Sequence, residues 1–132
     1  MTQRQHKALM RHIGVIGEAL GLWGWVVHIE DEPAQPGKAA TVSCVYGRRI
    51  VNVCLAPEWW DMPAGERHHV LVHEMLHVVT DPLRTYLNEA LPDLLGRPAW
   101  HAVAEAIRQH DEQATDQLVT AMAPFIHVEG DA

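Results

Sequence analysis

One stretch of this sequence constrains the fold more than any other. Between Ala64 and Thr80 the residues read as a single helix, and Val70, Leu71, Val72, Met75, Leu76, Val78 and Val79 cover well over half of its circumference. A helix of that kind has to be enclosed by other elements. Its remaining arc carries His73, Glu74, His77 and Thr80. Two imidazoles and a carboxylate are costly to bury unless they are hydrogen-bonded or bound to a metal. The order His73-Glu74-Met75-Leu76-His77 is an HExxH pattern. Positions i and i+4 stand one above the other on a helix, so both imidazoles reach one zinc ion. Glu74 points about 100° away around the axis. It stands beside the metal without ligating it, where it serves as general base toward a water that zinc acidifies.

The flanking segments predict what encloses this helix. Ala8, Leu9, Ile13, Ile16 and Leu20 give a helical spacing over residues 3–20, which Gly21 and Gly24 end. Trp25 to Ile29 is a short β-favouring run, with a turn expected at Glu30 to Pro33 and a loop over 33–38. Residues 40–46 and 49–56 read as a hairpin about Gly47-Arg48, pairing Tyr46 with Arg49, Cys44 with Val51 and Val42 with Val53. One face is then apolar (Val42, Cys44, Tyr46, Val51, Val53, Leu55), and the other carries Thr41, Ser43, Asn52 and Cys54. Cys44 and Cys54 fall on opposite faces, which argues against a disulfide between them. Asp81-Pro82 is expected to end or bend the central helix. Residues 83–95 are helical in part, and a last helix runs from Ala99 to about Ala123. The expected fold is α+β: an N-terminal helix, a small antiparallel sheet with a hairpin, the HExxH helix and a C-terminal helix. Residues 1–132 form one domain.

Composition narrows the function classes. The formal net charge is −7, which weighs against a binder of nucleic-acid phosphates. No apolar run approaches the length of a membrane span, and no signal peptide is read at the N-terminus. With two cysteines and no secretory signal, a reducing compartment and a cytoplasmic location are expected. Histidine is in excess, at 10 residues, which directs attention to metal chemistry without locating it.

A catalytic zinc site takes three protein ligands and leaves one position for water. No third histidine follows at a suitable spacing, so the third ligand is expected to be a carboxylate: Glu89, Glu105, Asp111 or Glu112. Asp111 lies nearest the middle of the last helix's apolar stripe, while Glu105 and Glu112 lie at its edge. Tyr86, His101, His110 and His69 are candidate donors to a developing oxyanion. Asp81 or Asp93 is a candidate to hold a ligand histidine by its second nitrogen. Trp59-Trp60 lines a substrate groove or packs over the start of the helix, and Trp23 and Trp25 are expected in the core.

The HExxH helix is followed by Asp81-Pro82-Leu83, and further on by His110-Asp111-Glu112-Gln113-Ala114-Thr115-Asp116-Gln117-Leu118-Val119. Over residues 40–124 this resembles the small gluzincin-like zincin metallopeptidases encoded by phages and prophages, relatives of the ImmA/IrrE-like peptidases. In those relatives a glutamate precedes a small residue and then Asn or Asp, with an apolar pair beyond. Here the positions are Glu112, Thr115, Asp116, Leu118 and Val119, with threonine where alanine is usual. The resemblance implies zinc held by His73, His77 and Glu112. It also implies a protein or peptide substrate and a hairpin edge beside the active helix that holds the substrate as an added strand, with residues 49–55 as the candidate edge. A second similarity, of His77-Val78-Val79-Thr80-Asp81 and Asn88-Glu89-Ala90-Leu91-Pro92-Asp93 to thermolysin-like peptidases, implies Glu89 instead. There the spacing is shorter than in that family, and Pro92 sits where the ligand helix continues. The expected activity is zinc-dependent peptide hydrolysis with Glu74 as base. The alternative is a non-catalytic, metal-stabilised binding or regulatory domain related to phage assembly or repression.

Overall fold

The computed structural model describes residues 1–128; the last four residues of the expected 1–132 domain, and the side chain of Tyr46 expected on the apolar face, lie outside the description. Helix α1 spans Gln3–Ala19, β1 Val26–Pro33, β2 Ala40–Val45, β3 Ile50–Leu55, α2 Ala64–Leu95 and α3 Arg97–Met122, with short 3-10 turns at Tyr46–Arg48, Trp59–Asp61 and Ala123–Phe125. This is the expected α+β arrangement.

Thr2 starts α1 with a capping box. Its hydroxyl accepts from the Gln5 N–H, and the Gln5 side chain accepts from the Thr2 N–H. The helix buries Leu9, Ile13 and Ile16, the apolar stripe that the spacing predicts. The hairpin register is also as read, with Val42 opposite Val53 and Cys44 opposite Val51. Val51 and Val53 are fully buried, and Val42 and Cys44 pack against the core beside them. Both cysteines are free.

The sheet departs from the antiparallel expectation. Its order is β1-β3-β2, with β1 parallel to β3 and only β2 antiparallel to it. Alternation specifies which face of a strand is apolar, but not which strand lies beside it. β3 is therefore central, so residues 49–55 are not an edge. The edge next to α2 is β2. The expected turn at Glu30 to Pro33 is also strand. β1 continues through it with a register shift between Ile29 and Pro33, and as an edge strand it tolerates both the charges and the proline.

Helix α2 runs unbroken through Pro82 and Pro92. A mid-helix proline costs about 3 kcal/mol locally. Here the two long helices pack along each other, which offsets the loss. Gly96, at φ 77°, caps α2 and opens α3, so the chain reverses within one residue. The core gathers Leu71, Val72, Met75, Leu76 and Val78 of α2 with α1, β3, Trp59 and Val119 of α3. Val79, expected to be enclosed, is 43% exposed, and Trp23 is 64% exposed. Trp23 sits between Gly21 and Gly24, both at positive φ, on a turn that carries it away from the core. Trp25 is half-buried against the core. Among the described residues no helix is long and apolar enough to cross a membrane.

Candidate metal centre

His73 and His77 project from one face of α2, as their spacing requires, and their rings meet edge to face with centroids 4.7 Å apart. Their Nε2 atoms are 3.0 Å apart. Glu112 reaches them from α3, with Oε2 at 3.3 Å from His73 Nε2 and Oε1 at 3.5 Å from His77 Nε2. Among the described residues this trio forms a group of three whose ligand atoms lie within 4.8 Å of one another.

The rest of α3 completes the arrangement. Asp116 Oδ1 lies 3.0 Å from His73 Nδ1, and Asp111 Oδ2 lies 3.9 Å from His77 Nδ1. A carboxylate only accepts, so His73 carries its hydrogen on Nδ1 and turns the lone pair of Nε2 inward. That lone pair meets the Glu112 oxygens, which are themselves acceptors. Either an N–H on His77 Nε2 or a cation between the three groups satisfies these acceptors. Zinc bonds of roughly 2.0–2.2 Å in a tetrahedron place neighbouring donors roughly 3.3–3.5 Å apart, and the observed separations of 3.0, 3.3 and 3.5 Å are close to that. The residues present therefore fit such an ion.

Of the four carboxylates open at the outset, only Glu112 joins both histidines. Glu89 is exposed on α2. Glu105 is fully exposed and is held by Arg108 and Gln109, which lower its carboxyl to about 2. Asp111 is too far from His77 for a hydrogen bond. The expected helper at the second nitrogen is also different. Asp81 is buried but bonds Arg84 at 3.0 Å, and Asp93 is exposed. The group that reaches a second nitrogen is Asp116, to which the sequence reading gave no role. A signal for it was present: Glu112 and Asp116 are themselves an i, i+4 pair. His73 faces Asp116 and His77 faces Glu112, so an acidic pair and a histidine pair meet across antiparallel helices. Thr115 and Val119 are the buried residues of α3 that seat it there.

Glu74 stands beside the trio in a cavity of about 150 Å³. Burial raises its carboxyl above the usual range. His73 and Lys38 pull it down, Glu112 pushes it up, and a main-chain hydrogen bond from Val42 of β2 pulls it down again. Burial also lowers His77, with His73 and Arg84 adding to the effect against Glu112 and Asp111. The candidate oxyanion donors do not line this cavity: Tyr86 is 65% exposed, and His101, His110 and His69 are exposed elsewhere. The cations that do line it are Lys38 and Arg84. Trp59 is fully buried in the core, and together with Trp60 it borders a separate cavity of about 560 Å³ near α1 and β1.

No protein-family model matches this chain, and no match is found among curated proteins or solved structures.

Proposed function

We propose that this chain is a cytoplasmic zinc-dependent metallopeptidase in which His73, His77 and Glu112 hold the ion and Glu74 is the general base. The observation that carries the reading is the convergence of three donors on one point, with a fourth group beside them, the half-buried carboxylate of Glu74, that is not part of the trio. A purely structural zinc site is closed by four protein ligands and has no use for such a neighbour.

Zinc bound there supplies Lewis acidity, polarising a peptide carbonyl and acidifying water. The remaining work falls to the chain's own groups. Glu74 accepts a proton from the attacking water as its oxygen bonds to the carbonyl carbon. The carboxyl then delivers that proton to the amide nitrogen as the C–N bond breaks. Burial raises the carboxyl of Glu74, which favours its protonated form. Asp116 fixes the tautomer of His73. The outer edge of β2, the strand next to α2, suits an extended substrate added by main-chain pairing.

The test pairs metal content with turnover. Zinc-loaded protein is incubated with a mixed peptide library, and new termini are read by mass spectrometry. The wild type should bind one zinc and cut peptides, while Glu74→Gln should keep the zinc and lose cleavage. Stoichiometric zinc with no new termini beyond those of Glu74→Gln would overturn the enzyme reading in favour of a metal-stabilised binding domain.

A further inference from the structure

The cavity beside Glu74 is small and polar. At about 150 Å³ it is well below the volume of a site for a drug-sized ligand, and it opens directly onto the trio, since His73, His77 and Glu112 line it together with Glu74. Val42 is the one apolar residue among those lining it. Two cations border it from opposite elements, Lys38 from the loop before β2 and Arg84 from α2.

Each cation is positioned by its own device. Gln35 to Lys38 is a tight turn closed by the Lys38 N–H on the Gln35 carbonyl at 2.9 Å. Pro36 and Gly37 occupy its centre, and Gly37 has φ +79°, the combination of a type II turn. A side chain at position 37 would be strained, so the sequence Gln35-Pro36-Gly37-Lys38 fixes where Lys38 leaves the backbone. Arg84 follows His77 by two helical turns and so shares its face. Asp81, nine-tenths buried, accepts from Arg84 Nη2 at 3.0 Å. That bond uses one of five guanidinium N–H donors, and the planar fork that remains suits a second carboxylate.

We propose that this cavity selects a substrate carboxylate adjacent to the bond that is cut, held between Lys38 and Arg84. The carboxylate is supplied either by an acidic side chain or by a peptide C-terminus. The inference rests on the peptidase reading for the phrase "bond that is cut", but the binding preference is measurable without turnover. An aliphatic or aromatic side chain would desolvate both cations with nothing in return. A carboxylate pairs them with charge-assisted hydrogen bonds.

The experiment uses zinc-loaded Glu74→Gln protein and isothermal titration calorimetry. The probes are pentapeptides with Glu, Gln or Lys scanned through each position, each with a free or an amidated C-terminus. The Glu scan and the free-terminus arm separate the two sources of carboxylate. At least one arm should bind on the order of 10-fold tighter than its neutral counterpart. Added Lys38→Gln or Arg84→Gln should remove that preference, and Arg84→Lys should restore part of it. Lys38 is exposed, so its variant reads the charge effect free of any folding defect. Equal binding of acidic, neutral and basic peptides, or a preference that survives Lys38→Gln with Arg84→Gln, would overturn the proposal, as would no binding by any peptide. Zinc content and cleavage of neutral peptides by the wild type report on the peptidase reading separately.

Discussion

Helix α2 contributes histidines to two clusters, and their surroundings are opposite in chemistry. His73 and His77 face Asp111, Glu112 and Asp116 of α3, acceptors that converge on their nitrogens. His68, little more than one turn earlier, faces His12 of α1 at 2.9 Å and donates through Nε2 to the Ala123 carbonyl at 3.0 Å. Because a carbonyl only accepts, His68 carries its hydrogen on Nε2, and its Nδ1 accepts from His12 Nε2–H. The second cluster is thus a relay of donors and acceptors tying α1, α2 and the last 3-10 turn together, and it ends at His12 Nδ1, which is buried without a partner among the described residues. Burial lowers His12 to about 4, and His68, Arg67 and Arg11 add to the effect. The other titratable groups bordering the groove beside it are Glu66, His69 and His127. One pair is faced by anions and suits a cation, while in the other His12 is buried beside cations that disfavour its charged form. The charges around a histidine pair, not its ring contacts, separate a metal centre from a structural tie.

The largest test of this contrast is metal content. His73→Ala should lose essentially all zinc by elemental analysis, whereas His68→Ala should retain it at one per folded chain. Equal loss in both would erase the distinction. Next, Glu112→Gln should weaken zinc affinity by more than the roughly 10–100-fold that loss of an outer partner costs, measured by competition with a chelating dye. Glu105→Gln, on the exposed side of the same helix, should leave it unchanged.

Acidification probes the other cluster. The native His12 stays neutral down to about 4, while the unfolded chain takes up that proton from 6.5. Stability is therefore full above pH 6.5 and falls as the pH is lowered from 6.5 toward 4. His12 contributes at most ~3 kcal/mol to that fall, reduced by the water that reaches the groove it borders. Urea titrations of wild type and His12→Leu across this window should show the shallower slope in the variant. Finally, Asp116→Asn should cost zinc affinity roughly 10–100-fold through His73 alone. An effect below 2-fold would mean that the 3.0 Å contact does not set the tautomer.

The sequence reading located α1, the hairpin register and the HExxH helix because each depends on periodicity along one segment. The same periodicity does not reveal that β3 is central, that the helix continues through Pro82 rather than ending there, or that Trp23 lies outside the core. Strand order, helix–helix support and the path of a turn are set by contacts with distant residues. Periodicity leaves the third carboxylate open among Glu89, Glu105, Asp111 and Glu112 for the same reason, and only the family resemblance singles out Glu112.

His73, Glu74 and His77 are placed by the sequence itself, since backbone geometry fixes where i, i+1 and i+4 point on any helix. The type II turn that sets Lys38 is also local, fixed by Pro36 and Gly37. Only the tertiary structure decided that Glu112 and Asp116 meet the two histidines, through the reversal at Gly96 and the seating of Thr115 and Val119 against the core. It alone brought Arg84 and Lys38 to one cavity. A helix carries its own angular register, but the register between two helices exists only once they pack.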